Sequence, residues 1–161
     1  MSKSGTMSAV FAAGAICALT ATTTNAAELK VSGTVAHVIV SSESQKLDDG
    51  RTILHVHVDK GIVEANDPKS PLHLTWRDCS GTLIMDAKGN FVDGAGHCEN
   101  FDKSGDGYWN TWNLVPEGGN KWSVYHGTGK FEGMSGGGTS KVIANFPDRY
   151  VISYEGTLTM K

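Results

Sequence analysis

The stretch "ELKVSGTVAHVIVSS", residues 28–42, sets the terms for the fold. Leu29, Val31, Val35, His37 and Ile39 fall on one face of an extended chain, a period of two that no helix can use. The pattern recurs. "TILHVHVDK" sets Leu54, Val56 and Val58 against His55 and His57, and "LHLTW" sets Leu72, Leu74 and Trp76 against His73 and Thr75. "YVISYEGTLTMK" sets Ile152, Tyr154, Leu158 and Met160 against Ser153, Glu155, Thr157 and Thr159. Between such runs stand "LDDGR", "DAKGN", "DKSGDG" and "PEGGN", all with turn chemistry. About eight or nine short strands with regular turn signals and no helix predict an all-β fold, an eight-stranded antiparallel β-barrel. Closure would remove the exposed edges of a glycine-rich sheet.

The first 26 residues stand apart. Lys3 precedes "MSAVFAAGAICALTATTT", an uncharged run of small and apolar residues, and Thr24 and Ala26 suit a signal peptidase. The expectation is a signal peptide over 1–26, one domain over 27–161, and export to the periplasm or the extracellular space. A membrane anchor would need a more strongly apolar run, and no later segment could span a bilayer. The formal charge of −3, without a basic block, gives no reason to expect nucleic acid. Cys17 leaves with the signal peptide, so Cys79 and Cys98 remain as an even pair, read as a disulfide. By the chain-entropy argument such a bridge contributes about 3 kcal/mol.

The glycine cluster "HGTGKFEGMSGGGTS", His126 to Ser140, is neither a Walker loop nor a dinucleotide fingerprint. Phe131 follows Lys130 where Ser or Thr is required, and Glu132 takes the third glycine position. Glycines in strands instead permit bulges and close backbone approach. "GTGKFEGMSGGGTS" with the later "YVISYEGTL" resembles the allene oxide cyclase-like barrels, related in fold to dirigent proteins, and their small exported bacterial members. The resemblance implies eight antiparallel strands around an apolar lumen, and related barrels assemble into homo-oligomers through their outer faces. No catalytic signature of the cyclases is matched, so the fold transfers and the reaction does not.

"CENFDKSGDGYWNTW", Cys98 to Trp112, is the stretch richest in polar chemistry. As a calcium loop it would place Asp102, Ser104 and Asp106 at positions one, three and five, the Tyr108 carbonyl at seven and Asn110 at nine. Asn113 replaces the bidentate glutamate at twelve, so the competing reading is an Asp/Gly turn. The loop admits calcium, and no cofactor is required. His55 and His57 could share a metal with His73, His97 or His126, or simply face solvent.

Trp76, Trp112, Trp122 and Tyr154 are the residues expected to line a lumen that stacks on a flat ligand, or else to fill it. Glu155, Tyr154 and His126 are the candidates for acid–base work. Three functions remain open: binding of a small apolar or aromatic molecule in the lumen, a cyclase, isomerase or dirigent-like activity on a reactive intermediate, and a structural module with a filled lumen. Each differs in a visible way. The first needs a cavity, the second a cavity with buried ionisable groups, and the third none.

Overall fold

The computed structural model describes residues 27–115 and 118–161. The expected signal peptide lies outside the described residues. Eight strands run in chain order: β1 (Ala27–Lys46), β2 (Thr52–Ala65), β3 (Trp76–Met85), β4 (Phe91–Phe101), β5 (Gly107–Leu114), β6 (Asn120–Gly127), β7 (Ser135–Asn145) and β8 (Arg149–Met160). Each pairs antiparallel with the next, and β8 closes on β1 from Ala27↔Met160 to Val38↔Arg149. The barrel expected from the period-two pattern is the one observed.

The turn residues earn their places physically. The amide of Gly50 donates to Leu47 O, Gly89 to Asp86 O and Gly105 to Asp102 O. These glycines sit at φ 85°, 85° and 87°, where a Cβ would be strained, so each closes a tight hairpin and hands the chain back in register.

One end of the barrel is sealed. Leu72, from the loop joining β2 to β3, and Phe131 and Met134, from the connection between β6 and β7, pack with Val31, Val35, Val63 and Leu158. The "LHLTW" stretch is therefore not a strand. Its backbone turns, with Thr75 N donating to Leu72 O, so that Leu72 becomes a plug and only Trp76 enters β3. The turn leaves Leu74 at φ 59° and 63% exposed. A branched side chain in the left-handed region costs about 1–2 kcal/mol, and little burial compensates. Leu74→Gly should therefore raise stability by about 0.5–1 kcal/mol in urea unfolding, after the glycine's greater unfolded-state entropy is subtracted. A loss of stability would mean that this side chain packs on something in solution.

The inward pattern of β2 also departs from strict alternation. Leu54 and Val56 face the lumen as expected, but the ladders to β1 and β3 both slip between Val56 and Asp59. This bulge changes the phase, so Asp59 and Val63 point inward in the second half of the strand.

Glycine serves the lumen more than the corners. Gly81 and Gly96 face each other across β3 and β4, and the Trp112 ring lies against both. A Cβ on Gly156 would stand 2.7 Å from the Trp122 ring, and one on Gly33 would stand 2.9 Å from Tyr154 Oη. The strands give up side chains where large rings must fit.

Candidate functional site: a polar cluster in an apolar lumen

Beyond the sealed end the barrel holds a cavity of about 400 Å³, within the range of small-molecule sites. Its walls are largely apolar and aromatic, with Trp112, Trp122, Tyr108, Tyr150 and Tyr154 among them, and Phe91 and Phe146 at the mouth. The disulfide Cys79–Cys98 is part of the wall, joining directly opposed residues of β3 and β4 with Cα atoms 4.0 Å apart.

Into this apolar wall the fold sets a small group of polar side chains. His37 (β1), Asp59 (β2) and Tyr150 (β8) meet where the barrel closes. His37 Nδ1 lies 3.1 Å from Asp59 Oδ1, and the Tyr150 hydroxyl donates to Asp59 Oδ2. An ionised carboxylate only accepts, so Nδ1 carries the proton and Nε2 is left as the basic nitrogen. That Nε2 is buried without a partner. The imidazole also stacks on the Tyr150 ring, with centroids 4.7 Å apart and planes 2° from parallel.

Burial holds His37 below the ordinary imidazole value, outweighing the upward pull of Asp59. Burial first, and Asp59 second, push the Tyr150 phenol well above its usual range. The imidazole is thus neutral near pH 7 and the phenol remains a donor. In the same row of the sheet, which runs from His37 through Gly61 to Arg77, Arg77 Nε donates to Asn100 Oδ1 at 2.8 Å and Nη2 to Asn110 Oδ1 at 3.3 Å. Asn100 Nδ2 in turn donates to Asn110 Oδ1 at 2.9 Å and to Tyr108 O at 3.1 Å. Tyr154 Oη is buried without a partner, and burial raises its phenol too.

The lowered His37 value makes a pH prediction. Asp59, Tyr150 and Arg77 are the charged or titratable groups that act on this imidazole. The unfolded chain, with an ordinary histidine near 6.5, binds the proton more readily than the fold does. Stability should therefore be full above about pH 6.5 and fall as pH drops towards the lowered folded value. His37→Phe, which keeps the stack on Tyr150, should flatten that slope in thermal melts between about pH 7 and 5. An unchanged slope would place the titration elsewhere.

The residues expected from sequence divide cleanly. Trp112, Trp122 and Tyr154 line the cavity. Trp76 does not: it is 42% exposed and stacks on Phe101, 4.9 Å between centroids, outside the lumen lining. Glu155 is exposed, because its neighbour Tyr154 takes the inward position. His126 is exposed as well, against the Trp109 ring at 5.0 Å. His55 and His57 take separate partners, Thr82 Oγ1 and Glu43, and no group of three or more His, Cys, Asp or Glu suited to a metal occurs among the described residues.

The residues of the candidate calcium loop have protein partners of their own. Asp102 Oδ2 pairs with Lys130 Nζ at 2.7 Å, and Asp102 Oδ1 accepts from the amides of Ser104 and Asp106. Asp106 Oδ2 accepts from the Lys130 amide, while Asn110 faces the lumen. The loop latches the β4–β5 turn onto the chain that carries Phe131 through Lys130.

Of His37, Asp59 and Arg77, only His37 carried a signal in the pattern of its own strand. His37 shares a face with Val31, Val35 and Ile39, where a lone polar residue has to find a partner.

No family model matches the chain, and no curated protein does. Among solved structures, the chain is similar to the pterocarpan synthase dirigent protein GePTS1, at 12% identity and a TM-score of 0.51, over 84% of this chain and 89% of that one. It is also similar to the pterocarpan synthase dirigent protein PsPTS1, at 13% identity and a TM-score of 0.50, over 85% and 96%. The likeness is one of fold: the barrel is dirigent-like.

Proposed function

We propose that the barrel admits a small apolar or aromatic molecule to its lumen and steers a reactive intermediate there by proton transfer, an isomerase-, cyclase- or dirigent-like activity. The observation that carries this reading is the carboxylate–imidazole–phenol group His37–Asp59–Tyr150, buried in the wall of an apolar cavity. A structural barrel with a filled lumen has no use for a 400 Å³ cavity. A simple carrier has little use for a buried base, since unpartnered polar atoms in an apolar wall cost free energy.

In this reading His37 Nε2 accepts a proton from the bound molecule. Asp59 holds the imidazole in the required tautomer and stabilises the imidazolium that forms, as an acid paired to a base does in hydrolytic triads. Tyr150 fixes the carboxylate's other oxygen. The tryptophans exclude water and present flat faces to a ring. The protein works outside the cytoplasm, where the Cys79–Cys98 bond persists. A ring closure of the allene oxide cyclase-like kind is the cyclase variant of this proton transfer.

A nitrobenzisoxazole tests the reading, being flat, aromatic and small. Removal of its ring C–H proton by a base breaks the N–O bond and releases a coloured cyano-nitrophenolate, with no other reactant. Turnover above the buffer rate, saturable and accompanied by tryptophan quenching, is the expected result. Quenching without turnover would leave a carrier. Neither would return the barrel to a structural role.

A further inference from the structure

The polar layer holds a charge that the proton-transfer reading does not use. Arg77 is the one Lys or Arg lining the cavity among the described residues. Asn100 and Asn110, which accept from it, are neutral amides, and none of the ion pairs among the described residues includes it. Asp59, the carboxylate of this wall, spends both oxygens on β1 and β8, through His37 and Tyr150. A guanidinium has five N–H donors, and the ones used here go to neutral partners, the two amides and the Tyr108 phenol.

A cation facing an apolar cavity without a counter-ion is costly. Yet this one is held firmly. Asn100 and Asn110 are almost completely buried and bonded to each other, so the fork cannot swing away. The amides fix its direction without neutralising it. A buried, unpartnered hydroxyl, Tyr154 Oη, stands in the same lumen, and the charge of Arg77 acts on the phenols of Tyr108, Tyr150 and Tyr154 alike. Trp112 and Trp122 supply flat apolar surface in the lining of the same cavity.

We infer that the lumen's ligand is an aromatic carboxylate, a planar ring bearing one anionic head that pairs with Arg77 while the ring lies against Trp112 and Trp122. A single fork matches a carboxylate in geometry and in charge. A phosphate would ask for more positive charge than the wall holds. The inference rests on the lumen being the ligand site, and it adds the charge and class of the molecule that enters.

Naphthoate and naphthamide have the same shape and differ in charge, and titration calorimetry with both separates the two claims. Naphthoate should bind the wild-type protein about tenfold or more tightly than naphthamide. In Arg77→Gln that preference should vanish while naphthamide affinity changes little. Arg77→Lys, which keeps the charge, should retain part of it and guards against a folding defect in the glutamine variant. Equal binding of the two probes to the wild type, or a preference that survives in Arg77→Gln, would overturn the anion assignment and leave the lumen reading intact. Binding of neither would remove the lumen reading, and the assignment with it.

Discussion

His37→Gln is expected to lower kcat for nitrobenzisoxazole opening by about 10²–10⁴, the usual contribution of a positioned general base, with KM little changed. The glutamine fills a similar volume and can still reach Asp59, but it offers no basic nitrogen. Asp59→Asn should cost turnover too, by a different route. The imidazole remains, but an amide can donate to Nδ1 and so place the proton on Nε2, the nitrogen that must be free. The two losses should not add, because both residues act through one proton transfer. The wild-type rate should fall as pH drops through the lowered His37 value, when the base becomes charged. Near-ultraviolet circular dichroism and tryptophan quenching by the probe would show whether the lumen is intact in each variant. Turnover that survives His37→Gln would place the base elsewhere and reduce His37 to a packing residue.

Gly96→Val carries the largest expected effect on stability. A Cβ at Gly96 would collide with the Ser80 carbonyl and stand 2.5 Å from the Trp112 ring. Gly81 opposite has the same conflict with Trp112, so the ring cannot move towards β3 to make room. Either the indole shifts into the cavity or the β3–β4 ladder parts beside the Cys79–Cys98 bond. Overpacking of this kind costs about 1–3 kcal/mol and occasionally more, and here backbone and ring both resist. Urea unfolding should show about 3 kcal/mol or more, with loss of probe binding. The neighbouring Ala95 is exposed, and Ala95→Val should stay within about 0.5 kcal/mol. A well-folded Gly96→Val protein that still binds the probe would mean that Trp112 does not shape the site.

Much of the barrel was legible in the linear chain. Alternation in 28–42 and 150–160 marks β1 and β8, and glycines at the ends of "LDDG", "DAKG" and "DKSG" mark hairpins, because only a residue tolerant of positive φ closes them cheaply. Cysteine count gave the Cys79–Cys98 pair, and aromatic content pointed to Trp112, Trp122 and Tyr154. These features are local, or depend on numbers that the sequence displays.

Closure and one bulge decided the rest. Asp59 reads as an outward or strand-end residue until the slip after Val56 turns it inward, and a bulge leaves no mark in a period-two pattern. His37 and Tyr150 stand opposite each other only because β8 pairs with β1, and Tyr150 reaches Asp59 across 91 residues of chain. Lys130 meets Asp102 only because the β6–β7 connection folds over the β4–β5 turn, a contact that the spacing within 98–112 does not announce. Sequence spacing sets which face a residue takes within one uninterrupted strand. Which side chains share a point in the lumen depends on how distant strands register, and that is settled by the closed sheet as a whole.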